Sequence, residues 1–371
     1  MSVAADDIRY MSEALQLARR GRFTTQPNPR VGCVIVKDGM VVGTGYHARA
    51  GGPHAEAVAL KQAGYGAYGA TAYVTLEPCA HHGRTPPCAN ELVIAGLKRV
   101  VMATLDANPL VAGKGQQLLN DAGIETLAGV LEEEARSLNA GFLRRINGGL
   151  PWTRLKLAMS LDGRTAMASG ESKWITGADA RRDVQQWRAM SSAIITGIGT
   201  VLADDPSLTV RPDEWESWNS GEPVQPWRVV LDADFRTPTT AALLQQPGRT
   251  IIVGTRSQLD RQTALRDAGA DIWVLEGKNG KVDLKALLRR LAEDGANDVL
   301  VEAGATVAGS FARAGLVDEY VIYQAPVLMG SSARPLLDWP MQFMREQRKL
   351  VIGDVRMVGN DIRLLARPKT A

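Results

Sequence analysis

The stretch T-L-E-P-C-A-H-H-G-R-T-P-P-C-A-N occupies residues 75–90 and is dense in side chains that commonly bind zinc. These side chains are Cys79, His81, His82 and Cys88. Four nitrogen and sulfur ligands make a closed structural zinc site, whereas three protein ligands and a water make a catalytic one. The stretch therefore predicts a metal site, and the rest of the sequence must indicate which kind it is.

A second short motif, H-A-E at residues 54–56, favours the catalytic kind. It lies at the predicted start of a helix, and the P-C pair at 78–79 directly follows a predicted strand. H-x-E followed by P-C and a second cysteine is the signature of zinc deaminases. In that signature Glu56 moves a proton from the attacking water, activated by the metal, to the departing amine. The metal ligands are then His54, Cys79 and Cys88.

Two other interpretations of these residues remain open. The four side chains within 75–90 could form a structural zinc site, although adjacent histidines rarely both bind one ion and H-A-E would then be unexplained. Glu56 could also do no more than stabilise the positive N-terminus of its helix. The spacing departs from the short motif as well, because eight residues separate Cys79 from Cys88 where two are usual.

Three more residues of the first half have simple interpretations beside functional ones. Cys33, inside V-G-C-V-I-V, is expected to be a small buried core residue. His47 follows a predicted strand and could contact a substrate or be an ordinary surface histidine. Asn28, in the loop Q-P-N-P-R, could bind the edge of a pyrimidine or only make a turn.

The distribution of residue types indicates two domains. A chain of 371 residues with 45% hydrophobic residues can build two ordinary domains. All histidines and cysteines lie between positions 33 and 88, and all tryptophans lie beyond 150. With N-G-G-L-P at 147–151 as the linker, we expect one domain over 1–147 and a second over 151–371.

Strands and helices alternate in both halves, which predicts layered α/β domains. In the first half, strands are predicted at 31–36, 40–46, 70–76, 99–104 and 124–127, and helices at 7–20, 53–63, 88–97 and between the last two strands. In the second half, strands are predicted at 152–158, 193–197, 228–231, 250–253, 272–275, 298–301 and 319–325, and helices at 178–190, 257–268, 283–294 and 306–314. The polar, proline-rich stretch 212–226 is expected to be a surface excursion.

Composition also disfavours several classes of protein. The net charge of +3 is spread evenly, so neither half has the basic excess of a nucleic-acid-binding domain. No apolar run approaches the ~18 residues that suggest a membrane span, and the acidic start has no apolar signal core. Three cysteines, an odd number, favour reduced or metal-bound thiols over disulfides. We therefore expect a cytoplasmic protein with a small-molecule substrate and neither nucleic acid nor membrane as partner.

The chain resembles the bacterial bifunctional riboflavin-biosynthesis deaminase–reductases. The likeness is carried by P-N-P-R-V-G-C-V-I-V, G-G-P-H-A-E and T-L-E-P-C-A-H-H-G-R-T-P-P-C, and the long insertion between the cysteines resembles this branch rather than the tRNA or cytidine deaminases. It continues through L-K-L-A-M-S-L-D-G-R-T-A at 155–166 and T-V-L-A-D-D-P-S-L-T-V-R at 200–211. Nearly the whole chain is covered.

The resemblance implies a cytidine-deaminase-like three-layer α/β/α domain followed by a dihydrofolate-reductase-like α/β domain. It implies zinc-dependent hydrolytic deamination of 2,5-diamino-6-(5-phosphoribosylamino)pyrimidin-4(3H)-one, with release of ammonia. The second domain would then use NADPH to reduce the ribosyl group of 5-amino-6-(5-phosphoribosylamino)uracil to a ribityl chain. The cofactors would be Zn²⁺ and NADPH, and the family suggests a homo-oligomer.

The residues alone give a weaker nucleotide signal in the second half. No G-x-G-x-x-G opens it after a strand, so the usual dinucleotide fingerprint is absent. V-E-A-G-A-T-V-A-G-S-F at 301–311 predicts a strand, a glycine turn and a helix N-terminus that favours phosphate, or equally an ordinary strand–turn–helix. The resemblance places the cofactor diphosphate around Gly304, Ala305, Thr306, Val307, Ala308, Gly309 and Ser310. The family more often has glycine at the position of Ala303.

The resemblance also aligns scattered positions with cofactor and substrate contacts. The cofactor contacts are Ala158, Trp174, Thr200 and Asp204, and the substrate contacts are Ser172, Arg188, Leu208, Arg211 and Glu302. Both arginines suit a sugar phosphate, because a guanidinium fork matches phosphate geometry, although either could be a solvated surface residue. Lys156 and Asp204 are the candidate proton donors of the reduction, and both could instead be structural.

Some positions of the second half are left without a firm role. The family commonly has serine at Ala233, so no contact is assigned there. Thr255-Arg256-Ser257 follows a strand and could read the 2′-phosphate of NADPH by its charge.

Two alternative functions stay open at this point. The chain could deaminate another nucleobase or RNA and carry a degenerate second domain, which the even charge and the long insertion disfavour. It could also be a zinc-stapled binding protein in which His54 and Glu56 are incidental.

Overall fold

A computed structural model describes residues 3–80, 87–108, 112–215 and 223–369 of the chain. It divides into two compact units, Met1–Leu150 and Pro151–Ala371. The stretch proposed as a linker, 147–151, lies at this division, after a helix that ends at Ile146 and before a strand that begins at Trp152.

The first unit is built on one five-stranded sheet. Its helices are α1 (Ala5–Arg20), α2 (Ala55–Ala63), α3 (Cys88–Ile94), α4 (Lys114–Asp121), α5 (Glu132–Leu138) and α6 (Ala140–Ile146). Its strands are β1 (Gly32–Lys37), β2 (Met40–Tyr46), β3 (Thr71–Val74), β4 (Arg99–Met102) and β5 (Glu125–Ala128), in the order β2-β1-β3-β4-β5. The β1–β2 hairpin is antiparallel, β1 also pairs antiparallel with β3, and β3, β4 and β5 run parallel.

Buried apolar residues on both faces of this sheet explain its three layers. Cys33 and Ile35 of β1 belong to the core shared with α2, α3 and α4, whereas Val34 and Val36 belong to the core shared with α1 and α5. This alternation is the period of two that a strand covered on both faces requires. The expected three-layer α/β/α fold is therefore confirmed, and Cys33 is the buried core residue that the sequence predicted.

The second unit is built on a nine-stranded sheet, with an additional two-stranded pair. Its strands are β6 (Trp152–Ser160), β7 (Arg164–Ala166), β8 (Ala193–Gly197), β9 (Trp227–Leu231), β10 (Thr250–Gly254), β11 (Asp271–Val274), β12 (Asp298–Glu302), β13 (Glu319–Ala325), β14 (Arg334–Pro335), β15 (Leu350–Val358) and β16 (Asp361–Pro368). Its helices are α7 (Ala178–Ala189), α8 (Ile198–Asp204), α9 (Leu259–Asp267), α10 (Leu284–Glu293) and α11 (Ala305–Arg313).

The large sheet has the order β11-β10-β9-β8-β12-β6-β13-β16-β15, and β7 pairs with β14. The first seven strands in this order, from β11 to β13, run parallel to one another. Strands β16 and β15 are added antiparallel at one edge. Parallel strands end at a common edge of a sheet, where ligands of such folds usually bind. That edge carries Gly197 at the end of β8 and Glu302 at the end of β12.

Each strand and helix predicted from the sequence is present, with ends shifted by a few residues. Elements that were not predicted are α5, α6, α8, β7, β14 and the terminal hairpin β15–β16. Of the stretch 212–226, a short helical turn at Pro212–Glu214 is described, and 216–222 lies outside the described residues. Within the described ranges, none of the helices has the length and apolarity needed to span a membrane.

Candidate active sites

The first site joins three side chains from the ends of neighbouring elements. His54 is the N-cap of α2, Cys79 follows β3, and Cys88 is the first residue of α3. His54 Nδ1 lies 3.2 Å from Cys88 Sγ and 3.7 Å from Cys79 Sγ. Because all three ligand atoms lie within 4.8 Å of one another, one ion at the usual bond lengths of about 2.0–2.3 Å fits between them. One nitrogen and two sulfurs suit zinc and leave its fourth position open.

The electrostatics of the two thiols favour a thiolate at this position. The Cys88 thiol donates a hydrogen bond to Cys79, and this contact lowers the pKa of Cys79 to about 4. The same contact, together with burial, raises the pKa of Cys88. The backbone N–H of Cys88 also donates to Cys79 Sγ at 3.3 Å. Hydrogen bonds from Cys88 therefore stabilise the anionic form of Cys79, which is the form in which a cysteine binds zinc.

Glu56 lies beside this cluster in the first turn of α2 and is 3% exposed. Burial raises the pKa of its carboxyl to about 7, and the negative charge of Cys79 acts in the same direction. Its own backbone N–H, the charge of His54 and a hydrogen bond to Cys88 oppose the rise. A group with a pKa near neutrality can both accept and return a proton, which is what the predicted role of Glu56 requires.

Asn28 and His47, two residues with open interpretations, are brought together next to the cluster. His47 is 2% exposed, so the sequence-based alternative of an ordinary surface histidine is wrong. Its Nδ1 lies 2.9 Å from the carbonyl oxygen of Pro53, and its Nε2 lies 3.0 Å from Asn28 Nδ2. Because the carbonyl only accepts and the amide N–H donates, the ring is neutral with its proton on Nδ1.

Burial and the nearby His54 agree with this, since both lower the pKa of His47, although its bond to Pro53 acts the other way. The rings of His47 and His54 meet edge to face at 5.6 Å. Asn28 is half-buried, and its backbone N–H donates to the Thr25 carbonyl at 2.7 Å, so the turn is also present. His47 therefore contacts both Asn28 and His54, the predicted metal ligand.

Two of the four side chains in the opening stretch cannot be placed. His81 and His82 lie outside the described residues. Among the residues that are described, His54, Cys79 and Cys88 are the group of potential metal ligands that converges. The structure thus supplies the partner for the two cysteines from the H-A-E motif.

The second site is centred on a buried ion pair at the end of β12. Arg188 of α7 donates from Nε and Nη2 to the two oxygens of Glu302, at 2.7 and 3.0 Å. Its Nη1 donates to the carbonyl of Thr209 at 2.8 Å. Burial would raise the pKa of Glu302, but Arg188 outweighs it and the pKa lies below the ordinary value. Arg188 is thereby committed to the protein, which leaves fewer of its donors for a sugar phosphate than the sequence suggested.

Lys156 lies directly opposite Glu302, because the two residues are register partners on the neighbouring strands β6 and β12. The lysine is half-buried, and its amine has no hydrogen-bond partner among the residues that the structure describes. Burial lowers the pKa of Lys156, Arg188 lowers it further, and Glu302 opposes the shift. An amine of this kind can give up a proton more readily than an ordinary lysine.

Asp204, the other candidate proton donor, has a different environment. It is the last residue of α8, and its half-buried carboxylate pairs with the exposed amine of Lys173 at 3.4 Å. Asp204 is therefore engaged by a neighbouring lysine.

The glycine turn predicted to hold a diphosphate is formed by Gly304, the N-cap of α11. Gly304 and Thr306 are exposed, and Ala305 and Val307 are half-buried, so the first turn presents backbone to a ligand. Ala308 and Gly309 are buried, and a Cβ on Gly309 would lie 2.4 Å from the carbonyl oxygen of Asp338. Ala308 and Gly309, which were predicted to contact the diphosphate, therefore pack against the protein interior. Ser310 uses its hydroxyl to bond the Thr306 carbonyl at 2.8 Å.

A second glycine turn, missed in the sequence, lies against the first. Strand β8 ends at Gly197, and α8 begins directly after it at Ile198. A Cβ on Gly197 would come within 2.8 Å of the Val307 side chain, so the two turns are neighbours. The stretch T-G-I-G-T at 196–200 after a buried strand was the available signal, and it includes Thr200, which lies in the first turn of α8.

The remaining aligned residues lie on several separate elements, and their contacts within the protein do not join them into one set. Trp174 is 64% exposed, and the guanidinium of Arg181 lies 4.4 Å from the centre of its ring. Arg211 is paired with Glu214 at 2.9 Å. Leu208 is buried, Ser172 is half-buried, and Ala158 accepts from the Thr165 hydroxyl at 3.2 Å through its carbonyl.

The predicted 2′-phosphate reader lies at the ends of β9 and β10. Arg256 is paired with Asp234 at 3.1 Å, and the Thr255 hydroxyl donates to the Ala233 carbonyl at 3.2 Å. The charge of Arg256 is therefore partly neutralised by a neighbouring carboxylate, and the structure adds nothing that singles it out.

Comparison with protein families gives a match in each half of the chain. Residues 4–104 match the cytidine and deoxycytidylate deaminase zinc-binding region, and residues 151–364 match the RibD C-terminal domain. The zinc-binding family model covers His54, Glu56, Cys79 and Cys88. The C-terminal match covers all the positions assigned above to cofactor and substrate of the reductase.

Comparison with individual proteins extends over nearly the full length. The riboflavin biosynthesis protein RibD of Escherichia coli is 50% identical over 96% of this chain and 98% of its own. The structure of Acinetobacter baumannii RibD, form 1, is 50% identical, with a TM-score of 0.91, and 98% of this chain and 99% of that one are covered.

A structure with lower sequence identity is also similar over nearly the full length. The diaminohydroxyphosphoribosylaminopyrimidine deaminase/5-amino-6-(5-phosphoribosylamino)uracil reductase of Thermotoga maritima is 32% identical, with a TM-score of 0.85 and coverage of 98% and 99%. The cytidine-deaminase-like and dihydrofolate-reductase-like folds expected from the sequence are thereby confirmed. The chain belongs to the RibD family, the bifunctional enzymes of riboflavin biosynthesis that join a zinc-dependent deaminase to an NADPH-dependent reductase.

Proposed function

We propose that the domain over 1–147 deaminates 2,5-diamino-6-(5-phosphoribosylamino)pyrimidin-4(3H)-one, and that the domain over 151–371 reduces the resulting ribosylaminouracil to the ribityl compound. The names of the Thermotoga relative's two activities support this order of reactions. The observation that carries the proposal is the cluster of His54, Cys79 and Cys88 with the buried Glu56 beside it.

In the deaminase, the chain's own residues supply ligands, a proton carrier and substrate contacts. Zinc, when bound by His54, Cys79 and Cys88, makes a water nucleophilic at neutral pH. Glu56 would accept a proton from the attacking water and give it to the leaving amine, since ammonia leaves far more easily than amide ion. Asn28, fixed by His47, holds the edge of the pyrimidine at the same place.

In the reductase, NADPH supplies the hydride, and the protein supplies position and a proton. The turns at Gly197 and Gly304, with Thr200, hold the diphosphate through backbone N–H groups. Lys156 delivers the proton to the substrate, and Glu302 orients the substrate while held by Arg188. Arg211 is the better placed of the two arginines for the sugar phosphate, because its side chain is exposed, whereas Arg188 already donates to Glu302 and Thr209.

The remaining aligned residues complete the proposed contact set. Trp174, Ala158 and Asp204 line the cofactor, and Ser172 and Leu208 line the substrate. Ala308 and Gly309 support the diphosphate turn from within α11 rather than contacting the ligand.

Glu56→Gln tests the deaminase half, because it retains the size of the side chain and removes its acid–base chemistry. We expect zinc content equal to wild type and ammonia release reduced about 10³-fold, within the range for a positioned acid–base group. Ammonia release at the wild-type rate would reject the assignment. His82→Ala should keep its zinc. Loss of zinc from that variant would instead favour a structural zinc site formed by the four side chains within 75–90.

The reductase half is tested by NADPH oxidation with the deaminated intermediate. Oxidation should require that intermediate and should be unchanged in Glu56→Gln, which affects the other site. Absence of oxidation at saturating intermediate would reject the reductase assignment.

We also propose that the chain forms a homo-oligomer through the edge strand β15. Ile352, Val355 and Met357 are 61%, 57% and 63% exposed, and Asp354 neutralises Arg356 at 2.8 Å. A largely apolar edge with no net charge and with unpaired backbone groups suits antiparallel pairing with β15 of a second copy about a two-fold axis. Val355→Lys should convert the oligomer to a monomer in sedimentation, whereas a monomeric wild type at micromolar concentration would rule the interface out.

We also propose that the protein acts in the cytoplasm. All three cysteines are free thiols, as a reducing compartment such as the cytoplasm favours. That neither nucleic acid nor a membrane is a partner stays a prediction.

A further inference from the structure

Glu77 is a buried carboxylate whose charge is met by backbone N–H groups. The residue is 6% exposed and lies two positions before Cys79. Its Oε2 accepts from the N–H groups of Asp106 and Gly113, both at 2.9 Å. Its Oε1 accepts from those of Gly115 and Gln116, at 2.8 and 3.1 Å. Since a carboxylate offers about four acceptor positions, the backbone saturates this one.

Three of these donors belong to the start of α4, which has no cap of its own. The N-cap residue is Gly113, where a serine, threonine, asparagine or aspartate side chain would usually accept from the first turn. Glu77 does this from a distant part of the chain, 38 residues before Gly115. Its negative charge also complements the positive end of the helix. Glu77 is therefore the cap of α4.

The contact is close as well as polar. A Cβ on Gly115 would lie 2.1 Å from the carbonyl oxygen of Pro78, so only glycine lets α4 approach this far. Pro78 separates Glu77 from Cys79 in the chain. The helix thus rests on the peptide group that directly precedes the proposed metal ligand.

The same residue also connects to the strand ends beside it. The backbone N–H of Glu77 donates to the Thr104 carbonyl at 2.9 Å, and its side chain holds Asp106 of the same segment. On the other side, Cys79 is tied to α3, because its carbonyl accepts from Ala89 at 3.2 Å and its sulfur accepts from Cys88. A continuous set of contacts therefore runs from α4 through residues 77–79 to both cysteines.

We propose that Glu77 is a positioning residue of the deaminase. By capping α4 and holding segment 104–106, it fixes the backbone of Cys79 and hence the geometry of the ligand triad. It acts through Cys79 and does not contact the substrate. The inference rests on the proposed assignment of His54, Cys79 and Cys88 as ligands, since groups behind a ligand orient it and tune its hold on the metal.

The test is Glu77→Gln in the full-length chain loaded with zinc. Glutamine offers one acceptor oxygen, so two of the four backbone N–H groups would face an NH₂ group instead. We expect zinc release to a chromogenic chelator to be about 10-fold faster than in wild type, the lower end of the effect of such outer groups. We expect kcat for ammonia release to fall about 10-fold, with KM changed less than about threefold.

Asp283→Asn is the matched control. Asp283 caps α10 in the second unit by accepting from Lys285 and Ala286 at 2.9 and 3.0 Å, and no metal ligand is near it in sequence. This variant loses a comparable cap, yet it should release zinc at the wild-type rate. If Glu77→Gln and Asp283→Asn release zinc equally slowly, the positioning role is overturned.

Two further measurements keep the outcome decisive. Amide hydrogen exchange at 113–116 should accelerate in Glu77→Gln, while NADPH oxidation by the second unit stays at the wild-type rate. If Glu77→Gln does not fold, Glu77→Asp replaces it, because it retains the charge but is too short to reach all four donors. Wild-type zinc release from that variant would refute the inference. A wild-type chain that binds no zinc would instead refute the proposed deaminase.

Discussion

The two proposed active sites of this chain are built in different ways. The proposed deaminase site takes its ligands and proton carrier from two short motifs, one at the start of α2 and one from the end of β3 to the start of α3. The proposed reductase site is dispersed, with Lys156, Arg188, Glu302 and the turns at Gly197 and Gly304 contributed by separate elements. The first uses particular side-chain atoms for a metal, whereas the second uses backbone, register and one buried ion pair.

This contrast teaches where a sequence reveals its chemistry. Zinc requires nitrogen and sulfur ligands, and few residue types supply them, so the motif is specific. A diphosphate can be held by backbone N–H groups, which every residue but proline has, so its site leaves little trace. Mutations should divide in the same way, with large losses at single positions in the first site and graded losses in the second.

The largest effect is expected for Cys88→Ala. Removal of one of three ligands should abolish zinc binding and reduce ammonia release at least about 10³-fold, because the nucleophile depends on the metal. Metal analysis and an ammonia assay measure both. Cys33→Ala is the control, since that thiol is buried in the core and should leave zinc content unchanged. Equal zinc in the two variants would contradict the triad.

Lys156→Met should have the next largest effect, on the reductase alone. The proton donor is lost, and NADPH oxidation should fall about 10²-fold, the lower end for acid catalysis by a positioned group. Because Lys156 has a pKa below that of an ordinary lysine, the wild-type rate should decline as pH rises through this lowered value. A rate that stays level up to the ordinary pKa of about 10.4 would exclude this lysine as the donor.

Lys156→Arg sharpens that measurement. An arginine stays charged at every accessible pH, so the decline of the wild-type profile should disappear while the absolute rate remains low. A profile identical to wild type in this variant would assign the titration to another group.

The smallest of these effects is expected for Asn28→Ala in the deaminase. Loss of one hydrogen-bonding side chain should raise KM about 10-fold, corresponding to roughly 1.4 kcal/mol, and leave zinc content unchanged. Steady-state ammonia release measures it. If kcat falls and KM does not, Asn28 acts on the transition state rather than on binding the pyrimidine.

The secondary structure was readable from the sequence wherever apolar residues followed a clear period. The strands at 31–36 and 250–253 and the helix at 178–190 are present because their apolar faces are buried in the sheet layers. The terminal hairpin was missed because β15 has exposed apolar residues on both faces, so its sequence lacks the alternation of apolar and polar residues that predicts a strand. Helix α8 was missed because it is short and follows a glycine turn.

Site residues that belong to a local motif could be predicted from the sequence, whereas contacts between distant segments could not. His54, Cys79, Cys88 and Glu56 followed from residue type and spacing, but the burial of His47 could not, because it depends on a loop that folds back from Asn28. The pairing of Lys156 with Glu302 depends on strand register between segments far apart in the chain. No local pattern carries that information.

Because both units, divided at Leu150 and Pro151, belong to one chain, the number of deaminase units always equals the number of reductase units. Each polypeptide carries one deaminase unit and one reductase unit, so synthesis and degradation change both in equal number. Two separate genes could adjust the supply of each catalyst independently, whereas here only the turnover of each site can. The intermediate between the two reactions therefore accumulates only when the reductase site consumes it more slowly than the deaminase site forms it.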